Sequence, residues 1–174
     1  MKKYCIIVCV FVMLMAGCGQ KQLDLSLYND DNKKLFVTLG ESKEVIDGRL
    51  GAPQKIIDGR CEYEIGITVL YDNHSNACYV SCGKNSDFSL NNGIKIGDDI
   101  ESVYETYNTT EPVVFVSNKD NERAIISKEK LSPNDVVDIY IMSFSTSVAP
   151  DAVDFISIGS YRATVFSEYN HNIQ

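Results

Sequence analysis

Cysteine and histidine are the residues of this chain that could bind a metal ion or supply a nucleophile and its base. The sequence of 174 residues holds six cysteines and two histidines. His74, Cys78 and Cys82 are spaced by four residues, and Cys61 could complete a zinc ligand set. Residues 78 and 82, however, lie on one expected strand, where four residues span about 13 Å. One ion cannot bridge that distance, so we predict no metal site and interpret His74 as a surface turn residue.

Other catalytic arrangements are also poorly supported by the sequence. A Ser-His-acid arrangement would need His74 or His171, and no nucleophile elbow precedes a serine. A cysteine nucleophile paired with His74, or a carboxylate pair drawn from the 24 acidic residues, stays open. Because no glycine-rich phosphate loop is present, we predict no cofactor. We predict a non-enzymatic protein, with a carboxylate-dependent hydrolase as an alternative.

The cysteine at position 18 stands in a pattern with a defined chemistry. Two lysines at positions 2 and 3 precede an apolar run from Tyr4 to Met15. That run has about a dozen residues, whereas a helix needs roughly 20 to span a bilayer, so it fits a cleaved signal peptide over residues 1–17. The residues just before Cys18 resemble a bacterial lipobox. The implied signal peptidase recognition residues are Leu14, Met15, Ala16 and Gly17.

Lipid attachment at Cys18 would decide where the protein works. Acyl chains contribute roughly 0.8 kcal/mol per buried methylene, so two or three chains would hold the mature protein at a membrane. Its formal charge falls from −8 to −10 when the two leader lysines are removed. An acidic chain is repelled by phosphate backbones, which argues against nucleic acid as a partner. We expect an extracytoplasmic protein anchored to the cell membrane, or to the outer membrane in a host with two membranes.

Three further cysteines remain in the mature chain: Cys61, Cys78 and Cys82. An odd number in an exported protein allows one disulfide plus a free thiol. Three reduced cysteines, packed as small apolar side chains, are equally compatible with the sequence. The pairing state therefore stays open at this point.

The rest of the chain divides into a tether, two similar units and a tail. Residues 18–34 are polar and mixed, which predicts a flexible lipidated tether. We assign 35–90 to a first unit, 91–169 to a second unit and 170–174 to a tail. The units match at an offset of 57 residues, at which Gly40 aligns with Gly97 and Ile46 with Val103; each contains a short predicted helix.

Capping residues set the ends of those two helices. Ser42 and Asp99 are good N-caps. Gly51 and Asn108 belong to the residue types that best tolerate a left-handed C-terminal position. Each helix would then have about two turns and would need a packing partner to be stable.

Alternating apolar residues after each helix predict antiparallel strands. The strand over residues 79–83 matches 155–159 at an offset of 76, so the second unit carries an insertion, which we place in a hairpin around Lys119. We therefore predict an α+β fold of two tandem units. Each unit is a short helix followed by an antiparallel β-meander, with the helices packed on one face of the sheet.

A glycine-opened short helix ending in Leu50-Gly51-Ala52-Pro53 and followed by a meander, twice over, resembles a known group. It is similar to the tandem-repeat family of the β-lactamase inhibitor protein and the small outer-membrane assembly lipoproteins, over about residues 35–169. The resemblance implies that the second face of the sheet is free to bind protein, without catalytic residues. In the second unit Tyr107-Asn108 replaces Leu-Gly and the proline is missing, and no binding residue can be carried over.

One strand carries our candidate partner-binding face. Tyr140, Met142 and Phe144 share one side of it, and Val137, Ile139 and Ile141 share the other. Such a strand is either core or an exposed binding surface. We expect a non-enzymatic protein-binding module at the cell envelope; the alternatives are an inhibitor of a secreted or surface hydrolase and the hydrolase named above.

Overall fold

The computed structural model describes residues 23–84, 86–119, 122–128, 131, 139–146 and 151–164. The predicted signal peptide, Cys18 and the predicted tail at 170–174 lie outside these ranges. No helix in the described ranges is long and apolar enough to cross a bilayer.

Short strands and two short helices follow one another in the described chain: β1 (Ser26–Asn29), β2 (Phe36–Thr38), α1 (Lys43–Leu50), β3 (Lys55–Ile57), β4 (Arg60–Glu62), β5 (Ile67–Tyr71), β6 (Ala77–Gly83), β7 (Phe88–Leu90), α2 (Ile100–Tyr107), β8 (Val113–Lys119), β9 (Glu122–Ile126), β10 (Ile139–Ser145) and β11 (Phe155–Ser160). A helical turn at 161–164 follows the last strand. The strands form an eight-stranded sheet in the order β3-β4-β5-β6-β11-β10-β8-β9 and a three-stranded sheet in the order β2-β1-β7. All paired neighbours are antiparallel.

The predicted α+β fold of two tandem helix-plus-meander units is wrong. The protein is mostly β, with one large antiparallel sheet and a second, smaller one. The strands of the two predicted units join through β6 and β11, where Ser81 lies opposite Ser157. The later strands do not form a meander, because β10 pairs with β8 and leaves the β8–β9 hairpin at the edge. Local alternation predicts strands well, but it does not tell which strands become neighbours.

The predicted tether is also too long. Ser26–Asn29 form β1, the central strand of the small sheet, and Leu25 and Leu27 are fully buried. The physical reason is an apolar alternation of Leu23, Leu25 and Leu27, which can bury one side of a strand despite the polar residues between. Residues 26–29, which the sequence assigned to the tether, are therefore part of the folded structure.

The main core lies between the large sheet on one side and the helices and the small sheet on the other. The large sheet contributes an in-register apolar row across its strands: Cys61, Val69, Val80, Ile158, Met142 and Val114. Ile46 of α1 and Val103 of α2 are fully buried against this core. Phe88 of the small sheet is fully buried in it as well. Because both helices have only eight residues, this burial rather than helix propensity holds them in place.

The second face of the large sheet is not open at its centre. Tyr79 and Ile141 belong to this face and are 6% and 5% exposed. Gly159 lies between them in register, and Thr164 of the helical turn packs over it. The centre of this face is therefore covered and is not free to bind protein, contrary to what the resemblance implied.

The predicted helix ends are confirmed. Ser42 and Asp99 are the N-caps, and the Asp99 side chain accepts a hydrogen bond from the Glu101 N–H. Gly51 and Asn108 end the helices with positive φ angles of 86° and 50°. The Asp99 side-chain cap and the two positive-φ C-terminal residues form as the sequence predicts, whereas the Ser42 side chain makes no capping hydrogen bond.

The residues just before the two helices also make matching backbone hydrogen bonds. The N–H of Gly40 donates to Ala77 O at 2.7 Å, and the N–H of Gly97 donates to Val153 O at 2.7 Å. Both glycines have φ angles near 90°, a region that side chains with a Cβ rarely adopt. The residues before α1 are therefore hydrogen-bonded to β6 of the large sheet, and those before α2 to the segment that leads into β11.

Candidate functional site

The predicted partner-binding face on β10 belongs to the core. Met142 and Phe144 are 0% and 3% exposed, and Tyr140 packs against the same cluster while only partly buried. Ile139 and Ile141, on the opposite side of the strand, are also buried. This strand is apolar on both sides because it lies between two packed layers, so Met142 and Phe144 are not part of an exposed partner-binding face, and only Tyr140 is partly accessible.

The three described cysteines are all free thiols, so the disulfide alternative is not formed. Cys61 and Cys82 are buried, whereas Cys78 at the start of β6 is half-buried and donates to Leu70 O at 3.4 Å. His74 lies in the exposed turn between β5 and β6. Within the described residues, no group of three metal-ligating side chains lies close enough to hold an ion. The structure thus does not bring His74 and the cysteines together.

A polar network lies beneath α1 and ties it to the large sheet. The Tyr63 hydroxyl donates to Asp47 Oδ1 at 2.7 Å and lies 2.7 Å from the Tyr71 hydroxyl. Lys43 pairs with the other oxygen of Asp47 and lies over the Tyr71 ring. Burial raises the pKa of Tyr71 to about 12, and burial together with both hydroxyl contacts raises the pKa of Tyr63 further. These tyrosines stay protonated at neutral pH, so the network acts as a structural link.

A second link joins α1 to the small sheet. Arg49 in the last turn of α1 makes a bidentate ion pair with Glu41, with N–O distances of 2.9 and 2.8 Å. The same guanidinium donates to Phe36 O at 2.6 Å and stacks 3.6 Å above the Phe36 ring. Both charged side chains are only about one-fifth exposed, 17% for Arg49 and 22% for Glu41. The guanidinium group therefore joins the C-terminal end of α1 to β2 of the small sheet and to Glu41.

The carboxylate alternative gains no support from the described acids. A general acid needs a raised pKa. Burial alone would raise the pKa of Glu41, but hydrogen bonds from Arg49 and Thr38 outweigh burial and lower it. Asp30 follows the same pattern, with Ser89 and Lys33 lowering its pKa. Both acids are partners in structural contacts.

A groove of about 590 Å³ lies at the end of the central strands of the large sheet. It lies between the residues that precede α1 and the helical turn after β11. Its described lining is mostly apolar: Leu39, Gly40, Leu70, Asp72, Asn76, Ala77, Cys78, Tyr140, Ser160, Arg162 and Ala163. A concave apolar surface with a few polar groups is the usual form of a binding site.

Polar and charged residues lie around the rim of this groove. Asp72 Oδ1 accepts from the N–H groups of His74 and Asn76 at 2.9 and 2.8 Å, which holds the turn in shape. Arg162 is exposed at the other side of the rim. Burial, and then the charge of Asp72, raise the pKa of the Cys78 thiol to about 11. The thiol is therefore neutral and part of the apolar wall.

A second groove of similar volume lies between the end of α2 and β8–β9. Its described lining is more polar and includes Thr109, Thr110 and Glu111. It offers fewer apolar contacts to a partner, so we favour the groove at Cys78, which we call the Cys78 groove.

Sequence reasoning missed the Cys78 groove. Its walls come from five separated stretches, around Leu39, Leu70, Cys78, Tyr140 and Arg162, and only the strand pairing brings them together. A partial signal existed, because Gly40 and the return strand at 79–83 both belong to the repeated pattern. Nothing in their spacing, however, predicted a concave surface at that end of the sheet.

Cys78 should be the thiol that reagents reach in the folded protein. We expect alkylation of Cys78 to be ~100-fold faster than that of Cys61 or Cys82, since the two buried thiols react only after local opening. Because the Cys78 pKa is raised to about 11, its rate should climb about tenfold per pH unit up to that value. Mass spectrometry of tryptic peptides after timed alkylation measures each site. Equal rates at the three cysteines would contradict this burial pattern.

Comparison of the chain with protein-family models, with curated proteins and with solved structures finds no match.

Proposed function

We propose that the protein is a lipoprotein, anchored through Cys18 at the extracytoplasmic side of a membrane, that acts as a non-enzymatic binding module for a protein partner. The lipobox pattern before Cys18 supports the anchor. The Cys78 groove supports the binding role, and it is the observation that carries the proposal. The resemblance implied an open second face of the sheet for the binding module and for the inhibitor alternative alike, and the centre of that face is buried.

The groove suits one apolar side chain of a partner together with polar contacts around it. Leu39, Leu70 and Ala163 form apolar walls, while Asp72 and Arg162 offer both charges at the rim. A buried anchor residue surrounded by polar contacts is the usual arrangement of an interaction hot spot. Chemistry on a bound substrate would need an activated group here, and the neutral Cys78 thiol is not one.

Site-specific cross-linking tests this function. A thiol-directed photo-cross-linker on Cys78 of the lipidated protein, activated in isolated membranes, should capture one dominant envelope protein. The natural cysteine suffices, because Cys61 and Cys82 are buried and the Cys18 thiol would carry lipid. Arg162→Glu should reduce capture about 5-fold, since an unfavourable rim charge costs roughly 1 kcal/mol.

The matched control moves the cross-linker to a different surface. Cys78→Ser combined with Glu44→Cys places it on the exposed side of α1. The same protein should not be captured from that position. Equal capture from both positions, or no capture from Cys78, would refute a partner site in the Cys78 groove.

A further inference from the structure

The chain enters the fold at the same end of the large sheet as the Cys78 groove. Arg123, near the start of β9, donates from Nη1 to Leu23 O at 3.1 Å. The pairing order places the start of β9 at the end where β10 begins and β11 finishes. Tyr140 and Ser160 of the groove belong to that end of the sheet.

Two backbone hydrogen bonds connect the entry segment to the groove itself. The N–H of Leu39 donates to Leu25 O at 3.0 Å, and the N–H of Gly40 donates to Ala77 O at 2.7 Å. Leu39 and Gly40 line the groove, and Ala77 directly precedes Cys78. The groove therefore lies next to the segment that leads into β1, the first described strand after Cys18.

The covalent path from the anchor to the fold is short. Five residue steps separate Cys18 from Leu23, and an extended chain covers at most about 18 Å in that distance. A globular chain of about 150 residues has a radius of gyration of roughly 15 Å and hence a diameter of roughly 38 Å. Because the path is shorter than half the diameter, the entry side of the fold must face the membrane.

We propose that the Cys78 groove is held against the membrane surface and receives a juxtamembrane segment of an integral membrane protein. This inference rests on the proposed lipid anchor at Cys18. It narrows the partner from any envelope protein to one whose binding segment lies at the lipid interface.

The lining of the groove favours a peptide segment over a lipid. A peptide offers an apolar side chain for Leu39 and Leu70 together with amide groups for the rim. An acyl chain offers no hydrogen-bonding partner to Asp72 or Arg162 at the rim. The mature chain also carries a formal charge of −10, so anionic headgroups repel it.

Energy transfer from two positions on one strand tests the orientation. One fluorophore is placed on Cys78, and the other on Lys84→Cys in a Cys78→Ser background. Lys84 is exposed just past the far end of β6, about 20 Å along the strand from Cys78. The lipidated full-length protein is placed in liposomes whose headgroups carry an acceptor. Transfer should be clearly stronger from Cys78, and equal or stronger transfer from position 84 would overturn the orientation.

The same liposomes test whether a lipid or a peptide segment occupies the groove. With no other protein present, a polarity-sensitive dye on Cys78 should emit at the same wavelength in liposomes as on the unlipidated Cys18→Ala protein in buffer. A strong blue shift in pure lipid would show that lipid fills the groove and would overturn the peptide partner. In native membranes, the Cys78 cross-linker should capture an integral membrane protein, and capture of a soluble protein would overturn this inference while leaving the binding role intact.

The same sample also tests the proposed lipid anchor at Cys18 independently of the groove. Mass spectrometry of the same sample shows whether Cys18 carries lipid. An unlipidated Cys18 would overturn the proposed anchor together with this inference. A lipidated Cys18 with the position-84 label nearer the membrane would overturn the inference alone.

Discussion

Replacing Gly159 by alanine is expected to destabilise the fold by about 2 kcal/mol, in the range for overpacked cores. A Cβ atom at this position would lie 2.5 Å from Thr164 Oγ1, 2.8 Å from Tyr79 Cδ2 and 3.4 Å from Cys78 O. Neighbouring atoms would have to move, and one of them belongs to the backbone. The melting temperature should fall by about 4–8 °C for a chain of this size. Thermal unfolding followed by circular dichroism measures the change.

Gly83 on the adjacent strand β6 provides the matched control. A Cβ atom there would lie 3.7 Å from the Phe155 ring, which is an ordinary contact. Gly83→Ala should be neutral or slightly stabilising, because alanine loses less entropy on folding than glycine. Adding Thr164→Ala to Gly159→Ala should recover part of the loss. Equal effects of the two single glycine replacements would contradict the close packing of the helical turn on the sheet.

Loss of the Arg49 side chain is the second large expected effect. Arg49→Ala should cost about 3 kcal/mol, because it leaves the Glu41 carboxylate partly buried without its ion partner. It also removes the contact with the Phe36 ring and the bond to Phe36 O. Arg49→Lys should recover only a fraction, since an ammonium group cannot form the two-pronged pair. Denaturant unfolding at neutral pH compares the variants.

The pH dependence of stability gives an independent test of the same pair. The pKa of Glu41 is lowered in the folded state, so its contribution is complete above an unfolded value of about 4.3. That contribution is lost as the pH falls through the lowered pKa. Glu41→Gln should therefore destabilise the protein at pH 7 and flatten its stability curve below pH 5. A variant that keeps the wild-type slope in acid would show that Glu41 is not the titrating group.

Short-range features of this fold were predictable from the sequence. Ser42 and Asp99 start the helices and Gly51 and Asn108 end them, because each acts within one turn. The hairpin around Lys119 also forms, as β8 and β9. These features depend on residues a few positions apart.

Long-range features were not predictable in the same way. β1 pairs with β7, more than 50 residues later, and β6 pairs with β11 across the two predicted units. The apolar alternation at Leu23, Leu25 and Leu27 could have indicated β1, but polar neighbours masked it. Tyr140, Met142 and Phe144 formed an apolar face whose environment depends on what packs against it, and only the tertiary structure shows that this is the core.

The proposed membrane location and the membrane-facing groove both depend on lipid attached to Cys18, and the N-terminal residue of the mature protein shows directly whether that lipid is present. The protein should be purified from the membrane fraction and its N-terminal peptide analysed by mass spectrometry. The proposed anchor predicts a mature chain that begins at Cys18 and carries a thioether-linked diacylglyceryl group, and it predicts that Cys18→Ala abolishes this processing. A mature chain that begins elsewhere, with Cys18 unmodified and the protein in the soluble fraction, would contradict it.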